Sequence, residues 1–294
     1  MLFTAGIQAA LRDRNQPVIT TSDFHRLTQA LYGSRQWQGE PLKRLPRRWD
    51  QQHVFAMISR LGYRDALTPD RDFGHGVYQV TAAGSEESAE QVACLVDPFL
   101  YVSYGSALHR HSLIEPEPSP IHFSTFEARQ WKVRQMEWLA GLDADEQGGR
   151  PYYARTPFPE VLRGRAIVLH ETSAPAPTVE AAGVRVSTVG ATFADTLAEP
   201  SRCGGMAAVL KIWNRHARKH VPDIVEALDR SASKMVKVRA GYIFTERLGI
   251  ETPAIAAWQA FAQRGGSRRL DPEQPYAPTF SERWMISLNV ETVT

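Results

Sequence analysis

Residues 47–62 (RRWDQQHVFAMISRLG) narrow most sharply what this chain can fold into. Val54, Met57, Ile58 and Leu61 fall at i, i+3, i+4 and i+7, so a helix here presents one apolar stripe and must bury it. Its N-terminal half carries Arg47, Arg48, Asp50, Gln51, Gln52 and His53, all long donors and acceptors. Pro46 suits the first turn of such a helix, because its fixed φ is helical and its missing N–H would lack a partner there anyway. A core-facing stripe behind a cationic, amide-bearing front end is what a helix entering the major groove of duplex DNA needs.

The flanking elements fit that reading. Ile7, Ala10 and Leu11 share a helical face, Pro17 ends the helix, and Val18-Ile19-Thr20 is extended. Ser22 is the expected N-cap of the next helix, with Asp23 favourably placed in its first turn. Phe24, Leu27 and Leu31 follow at helical spacing, and Gly33 supplies a stop. Residues 34–46 form a polar, basic connection. After Gly62, residues 63–68 and 76–81 are predicted to pair as strands about the turn-rich tip PDRDFGHG. Helix, helix, basic helix and hairpin are the order of a winged helix-turn-helix, predicted over 1–84. The small, acidic GSEESAE (84–90) predicts a linker near 82–92.

A larger domain over 92–294 is expected beyond it, making the whole an α/β mixed (α+β) protein of two domains. Strands are predicted at 99–104, 121–126, 166–170 and 184–188, with short helices at 105–113 and 191–197. Residues 205–263 read as largely helical. The clearest strand is 283–290, where Trp284, Ile286, Leu288 and Val290 alternate with polar or flexible neighbours.

The formal net charge of +2 conceals an asymmetry: residues 1–82 hold 11 Lys/Arg against 7 Asp/Glu, and the remainder 23 against 25. The basic surplus sits on the smaller part, as expected of a nucleic-acid module. Lys43, Arg44, Arg47 and Arg48 would release condensed counterions on meeting phosphates. Gln51 and Gln52 suit adenine edges, and Arg47 or Arg48 guanine O6 and N7, with His53 completing the front end. Thr21 and Ser22, at a helix start, are expected to hold a phosphate, and Arg71 at the hairpin tip to reach the backbone or minor groove. The plainer alternative is a solvated basic face. The accompanying stripe and hairpin favour the groove.

Other chemistries find little support. His109 and His111 point about 200° apart on a helix and cannot share an ion. His216 and His220 have a ligand spacing, but Arg218 and Lys219 between them would repel a metal. No G-x-S-x-G, P-loop or dinucleotide fingerprint is present, and Asp195 reads as a surface or capping residue. No enzyme, catalytic residue, cofactor or metal is therefore expected. Cys94 and Cys203 read as buried packing residues of a reduced, cytoplasmic protein. No apolar run of about 18 residues predicts a membrane span, and the N-terminus lacks the pattern of a secretory signal. Cations at 215–220, 234–239 and 264–269 read as helix-dipole complements, or as contacts to DNA or an acidic partner.

Tyr101-Val102-Ser103 leading into Ser106-Ala107-Leu108 and His111-Ser112-Leu113-Ile114 resembles the body of the AbiEi-type antitoxin family. So do Val238-Arg239-Ala240-Gly241-Tyr242 with Glu246-Arg247-Leu248-Gly249, and RGGSRRLDP (264–272) ahead of SERWMISLN (281–289). The patches span residues 98–290, and their order carries the resemblance. It implies an N-terminal winged helix-turn-helix and a transcriptional autorepressor of a type IV toxin–antitoxin, or abortive infection, operon. The implied partners are double-stranded operator DNA with inverted repeats and a nucleotidyltransferase-like toxin that is opposed without a tight complex. Direct protein–protein neutralisation of the toxin is the alternative. The connection at 34–46 departs from the family, being longer and richer in proline than a compact three-helix arrangement needs.

Overall fold

Apolar spacing decides which segments become helices here, while capping side chains and buried aromatics decide where they start. The computed structural model describes residues 1–81, 87–140, 142, 151–263 and 268–290. Helix α1 (Phe3–Arg14) buries Phe3, Ile7, Ala10 and Leu11. Strand β1 (Val18–Thr20) runs directly into helix α2 (Thr21–Ser34). Thr20, not Ser22, is the cap: its hydroxyl accepts the Asp23 N–H at 3.1 Å. The cap moves two residues back because Thr20, ending β1, already has the extended backbone a cap requires. The 34–46 connection contains a small hairpin of β2 (Gln36–Trp37) and β3 (Glu40–Pro41).

Helix α3 covers Gln51–Gly62, so it begins four residues later than the sequence suggested. Asp50 caps it by accepting the His53 N–H at 3.0 Å. Trp49 explains the late start. Its side chain is 4% exposed, its Nε1 donates to Thr28 Oγ1 at 3.0 Å, and its ring meets Phe3 edge-on at 5.0 Å. Anchoring that indole keeps residues 47–50 out of the helix. Strands β4 (Leu67–Pro69) and β5 (Val77–Val80) pair antiparallel, and β1 joins the far edge of β5 in the order β1-β5-β4. The α3 stripe of Val54, Ile58 and Leu61 packs among Ile7, Phe24, Leu31, Leu67 and Val80. Each such side chain stabilises the fold by about 1.5–3 kcal/mol.

The acidic segment near 82–92 is the one predicted as a linker. Residues 82–86 lie outside the described residues, while Ser88 caps helix α4 (Ala89–Val96), which buries Val92, Ala93 and Val96. The chain then forms two compact units, 1–100 with 125–173, and 101–124 with 174–294, instead of dividing once near 82–92. Buried Asp97 is one reason: it accepts Thr125 Oγ1 at 2.9 Å and Trp131 Nε1 at 3.0 Å, tying a later segment into the first unit.

Along the chain, β6 (Tyr101–Val102) and helix α5 (Tyr104–Arg110) belong to the second unit. Strand β7 (Ile121–Phe126) ends in the first unit, which also holds helix α6 (Ala128–Trp138) and the hairpin of β8 (Val161–Leu162) and β9 (Arg165–Thr172). In the second unit β10 (Thr178–Ala181) pairs antiparallel with β11 (Val184–Ser187); β11 runs parallel to β6, and β6 antiparallel to β7. Then come α7 (Val189–Ala198), α8 (Met206–His216), α9 (Val221–Arg230) and α10 (Lys234–Tyr242). A π-helical turn (Ile243–Arg247) extends α10, and α11 (Pro253–Ala257) follows. Trp213 lies at the centre of the core, edge-on to Phe193 and Phe244 at 5.2 Å each, with Nε1 donating to Thr196 Oγ1.

The strand expected at 283–290 shrinks to β13 (Ile286–Ser287), which pairs with β12 (Phe280–Ser281). Residues 282–285 form the turn between them, Met285 has φ 50°, and Ser281 Oγ accepts the Trp284 N–H. Trp284 and Ile286 are nevertheless buried, as their alternation required. The molecule is thus a mixed α/β protein, and among the described residues no helix is long and apolar enough to cross a membrane.

Candidate nucleic-acid interface

The face of α3 opposite its stripe is open. Gln52, Phe55, Ala56, Ser59, Arg60 and Tyr63 are exposed at spacings that put them on one side, and α3 contains no carboxylate. Lys43, Arg44, Arg47 and Arg48 are also exposed, in the loop preceding the helix rather than on it. Backbone pairing places this loop beside the start of α1: Phe3 N–H donates to the Lys43 carbonyl at 3.0 Å, and Lys43 N–H to the Met1 carbonyl at 2.8 Å. Arg44 takes a left-handed backbone at φ 59°. Arg44, His53 and Arg60 line a hollow of about 280 Å³ together with Thr4, Trp49 and Met57. His53 Nδ1 lies 2.7 Å from Asp50 Oδ1. Burial acts to raise the Asp50 carboxyl, but the hydrogen bonds and charge of His53 outweigh it and hold the group below the usual range.

Three predicted contacts are turned elsewhere. Thr21 is buried, and both its N–H (2.9 Å) and its hydroxyl (3.3 Å) donate to the Gly76 carbonyl, so it closes the β1–β5 edge instead of holding a phosphate. Ser22 is half-buried with its hydroxyl 3.0 Å from Thr20 Oγ1. Gln51 donates through Nε2 to the Tyr152 carbonyl at 3.1 Å. Residues 151–157, of the same unit, run past the start of α3 and enclose with it a cleft of about 450 Å³ lined by Ser22, Phe55, His75, Tyr78 and Tyr152. Tyr153 anchors the segment: it is 8% exposed, and its hydroxyl sits 2.7 Å from His25 Nδ1. Burial raises the Tyr153 phenol, against an opposing hydrogen bond from Gln51.

Arg71 is exposed at the hairpin tip, and its two neighbours hold the tip in place. Arg163, in the β8–β9 turn, has a side chain 3% exposed and contacts Asp70 through two bonds of 2.6 and 3.1 Å. It also pairs with Asp72, and its Nε lies 2.7 Å from a Glu87 carboxylate oxygen. Arg163 and Gly164 both have positive φ, at 50° and 75°, as a two-residue hairpin turn of this hand demands. Burial pushes Asp70 up, yet the hydrogen bonds and charge of Arg163 prevail and keep it below the usual carboxylate range.

Of the residues predicted from the sequence, Arg44 and His53 share one hollow and Lys43, Arg47, Arg48 and Gln52 are exposed, while Arg60, Tyr153 and Arg163 were missed. Arg60 was findable, since it lies on the helix face opposite the stripe. Tyr153 and Arg163 carried no local signal, because their partners are roughly a hundred residues away in sequence. Many second-unit cations are occupied by carbonyls. Arg239 is buried and donates to the Leu197 and Arg269 carbonyls, Arg218 to Leu248, and Arg268 to Phe261. Arg264 lies outside the described residues. Asp195 is only partly exposed, and burial drives its carboxyl up to about 7, with Arg202 opposing and Glu199 adding to the rise. Among the described residues no group of three or more His, Cys, Asp or Glu could hold a metal ion.

No family model and no curated protein matches the chain. Among solved structures, the chain is similar to the RV2827C protein from Mycobacterium tuberculosis at 12% identity and a TM-score of 0.48, covering 97% of this chain and 90% of that one.

Proposed function

We propose that the first unit binds duplex DNA as a winged helix-turn-helix and that the chain is a transcriptional autorepressor and antitoxin of a type IV toxin–antitoxin operon. One observation carries the DNA reading: the outer face of α3 is solvent-facing, free of carboxylates and flanked by exposed Lys43, Arg44, Arg47 and Arg48. The order α1-β1-α2-α3-β4-β5 with a β1-β5-β4 sheet supports it, since α3 then serves as the groove helix and β4–β5 as the wing. Gln52 is the amide positioned for an adenine edge, and Arg47 or Arg48 for guanine. Lys43, Arg44, Arg60 and Arg71 contact phosphates. Gln51 reads a base only if residues 151–153 withdraw.

The autorepressor and antitoxin roles rest on the AbiEi-type resemblance across residues 98–290, with inverted repeats as operator and a nucleotidyltransferase-like toxin as the opposed partner. In anisotropy titrations with the chain's own promoter region, Arg47→Ala with Arg48→Ala should weaken binding at least about tenfold near 0.1 M salt. The salt slope should fall by about 1, from whichever of the two does not read guanine, and discrimination at that guanine should relax. An unchanged affinity and slope would falsify the groove assignment. Co-expression with the neighbouring toxin should restore growth whether or not the two proteins co-purify.

A further inference from the structure

The second unit contains a cavity of about 280 Å³ that no role discussed so far uses. Ala207, Leu210, Lys211 and Asn214 line it from α8, at the i, i+3, i+4 and i+7 spacing of one helix face. Tyr242 and Arg247 contribute from the end of α10 and its π-helical turn. Leu270, Thr279, Leu288 and Val290 close it from the C-terminal segment. Backbone bonds knit that wall together, with Leu270 N–H donating to the Ser287 carbonyl and Leu288 N–H to the Thr279 carbonyl. The charged residues of the lining are Lys211 and Arg247, so the cavity is cationic, with Leu210, Leu270, Leu288 and Val290 supplying an apolar side.

Arg247 makes this more than a surface dimple. Its Nε is buried and has no hydrogen-bond partner among the described residues. A buried guanidinium N–H without an acceptor is costly, and such groups normally meet a protein atom, a water or a ligand. The backbone that presents Arg247 is itself specialised: Leu248 N–H donates to the Ile243 carbonyl at 3.0 Å, five residues back, the bond of a π-helical turn. Such turns cluster at functional positions. This one is clasped from behind, with Trp284 Nε1 donating to Thr245 Oγ1 at 2.8 Å and Thr245 Oγ1 to the Gly241 carbonyl at 2.9 Å.

We infer that this cavity binds a small oxyanion carrying a compact apolar body, its phosphate or carboxylate held by Arg247 and Lys211. Arg247 supplies the terminal N–H groups of its guanidinium, which can meet two oxygens of either group, and Lys211 adds a point charge. Leu210, Leu270, Leu288 and the Tyr242 ring take the body. The inference does not depend on DNA binding.

Isothermal titration of the full-length protein with phenyl phosphate, benzoate, inorganic phosphate and phenol tests it. At least one of the two aromatic anions should bind with a dissociation constant on the order of 0.1–1 mM, as suits a ligand of about ten heavy atoms. The tighter of the two identifies the headgroup, and phenol and inorganic phosphate should each bind at least about tenfold more weakly for want of one half of the ligand. Arg247→Ala should cost at least about tenfold in affinity, Arg247→Lys less. Lys211→Ala, at an exposed position, and Ala207→Phe, which fills the cavity from an exposed helix position, guard against misfolding; circular dichroism should be unchanged while binding weakens. Failure of both aromatic anions to bind below about 10 mM, or wild-type affinity in the folded Lys211→Ala and Ala207→Phe proteins, would overturn it.

Discussion

Each of the two units is held together internally by a different kind of contact. In the first, pieces far apart in sequence are joined by buried polar pins: Arg163 on Asp70 and Asp72, Asp97 on Trp131 and Thr125, Tyr153 on His25. In the second, the run from α7 to α10 packs through aromatics, Trp213 between Phe193 and Phe244, and Trp284 against Gly241. Apolar burial rewards any close-packed partner, whereas a hydrogen-bonded ion pair rewards one geometry. In the first unit the pins fix residues 125–173 against residues 1–100, whereas the α7–α10 run of the second is continuous in sequence.

The largest expected effect that sharpens this contrast is Arg163→Ala. It strands the Asp70 side chain, which is 0% exposed, and should destabilise the first unit by about 3–5 kcal/mol. Urea unfolding followed by near-ultraviolet signals checks it, and a loss under about 1 kcal/mol would reduce the pin to a bystander. Next comes Gly241→Ala in the second unit. An added Cβ would run into the Trp284 indole, an overpacking error worth about 1–3 kcal/mol, and its cost should not change with salt.

The units should also respond oppositely to pH. Asp70 is held below its ordinary value, so its contribution is present above about pH 4 and fades as pH falls through the depressed pKa. Asp195 is raised to about 7, so its neutral form favours the fold at low pH, and stability is lost as pH climbs from about 4 through 7. Asp195→Asn should therefore match the wild type near pH 4 and surpass it increasingly toward pH 8 in thermal melts; parallel profiles would dismiss the assignment. The smallest effect is Tyr153→Phe, which removes one buried hydrogen bond and should cost about 1 kcal/mol in the same melts.

Much of the first unit could be read from residue order. The α3 stripe, the pairing of 67–69 with 77–80 and the exposed cations at 43–48 all follow from local spacing and turn chemistry. What misled was equally local. Pro46 is an adequate helix start, but Trp49 finds Thr28 and Phe3, and Asp50 then caps. Thr21 resembles a phosphate ligand until β5 brings the Gly76 carbonyl to it. The polar 84–90 stretch resembles a linker, yet Ser88 starts a helix whose Val92 and Ala93 are fully buried.

The chain's own order of residues determined which segments are helical or extended, which face of each is apolar, and that the basic surplus falls in the first 82 residues. Those properties arise from neighbours within a few positions, through side-chain periodicity and backbone preference. The tertiary structure alone decided that Arg163 secures the hairpin tip, that Tyr152 engages Gln51, and that Arg247 faces a cavity closed by residues 270–290. Such pairings depend on burial and on hydrogen bonds across long stretches of chain, where geometry, not sequence distance, selects the partner.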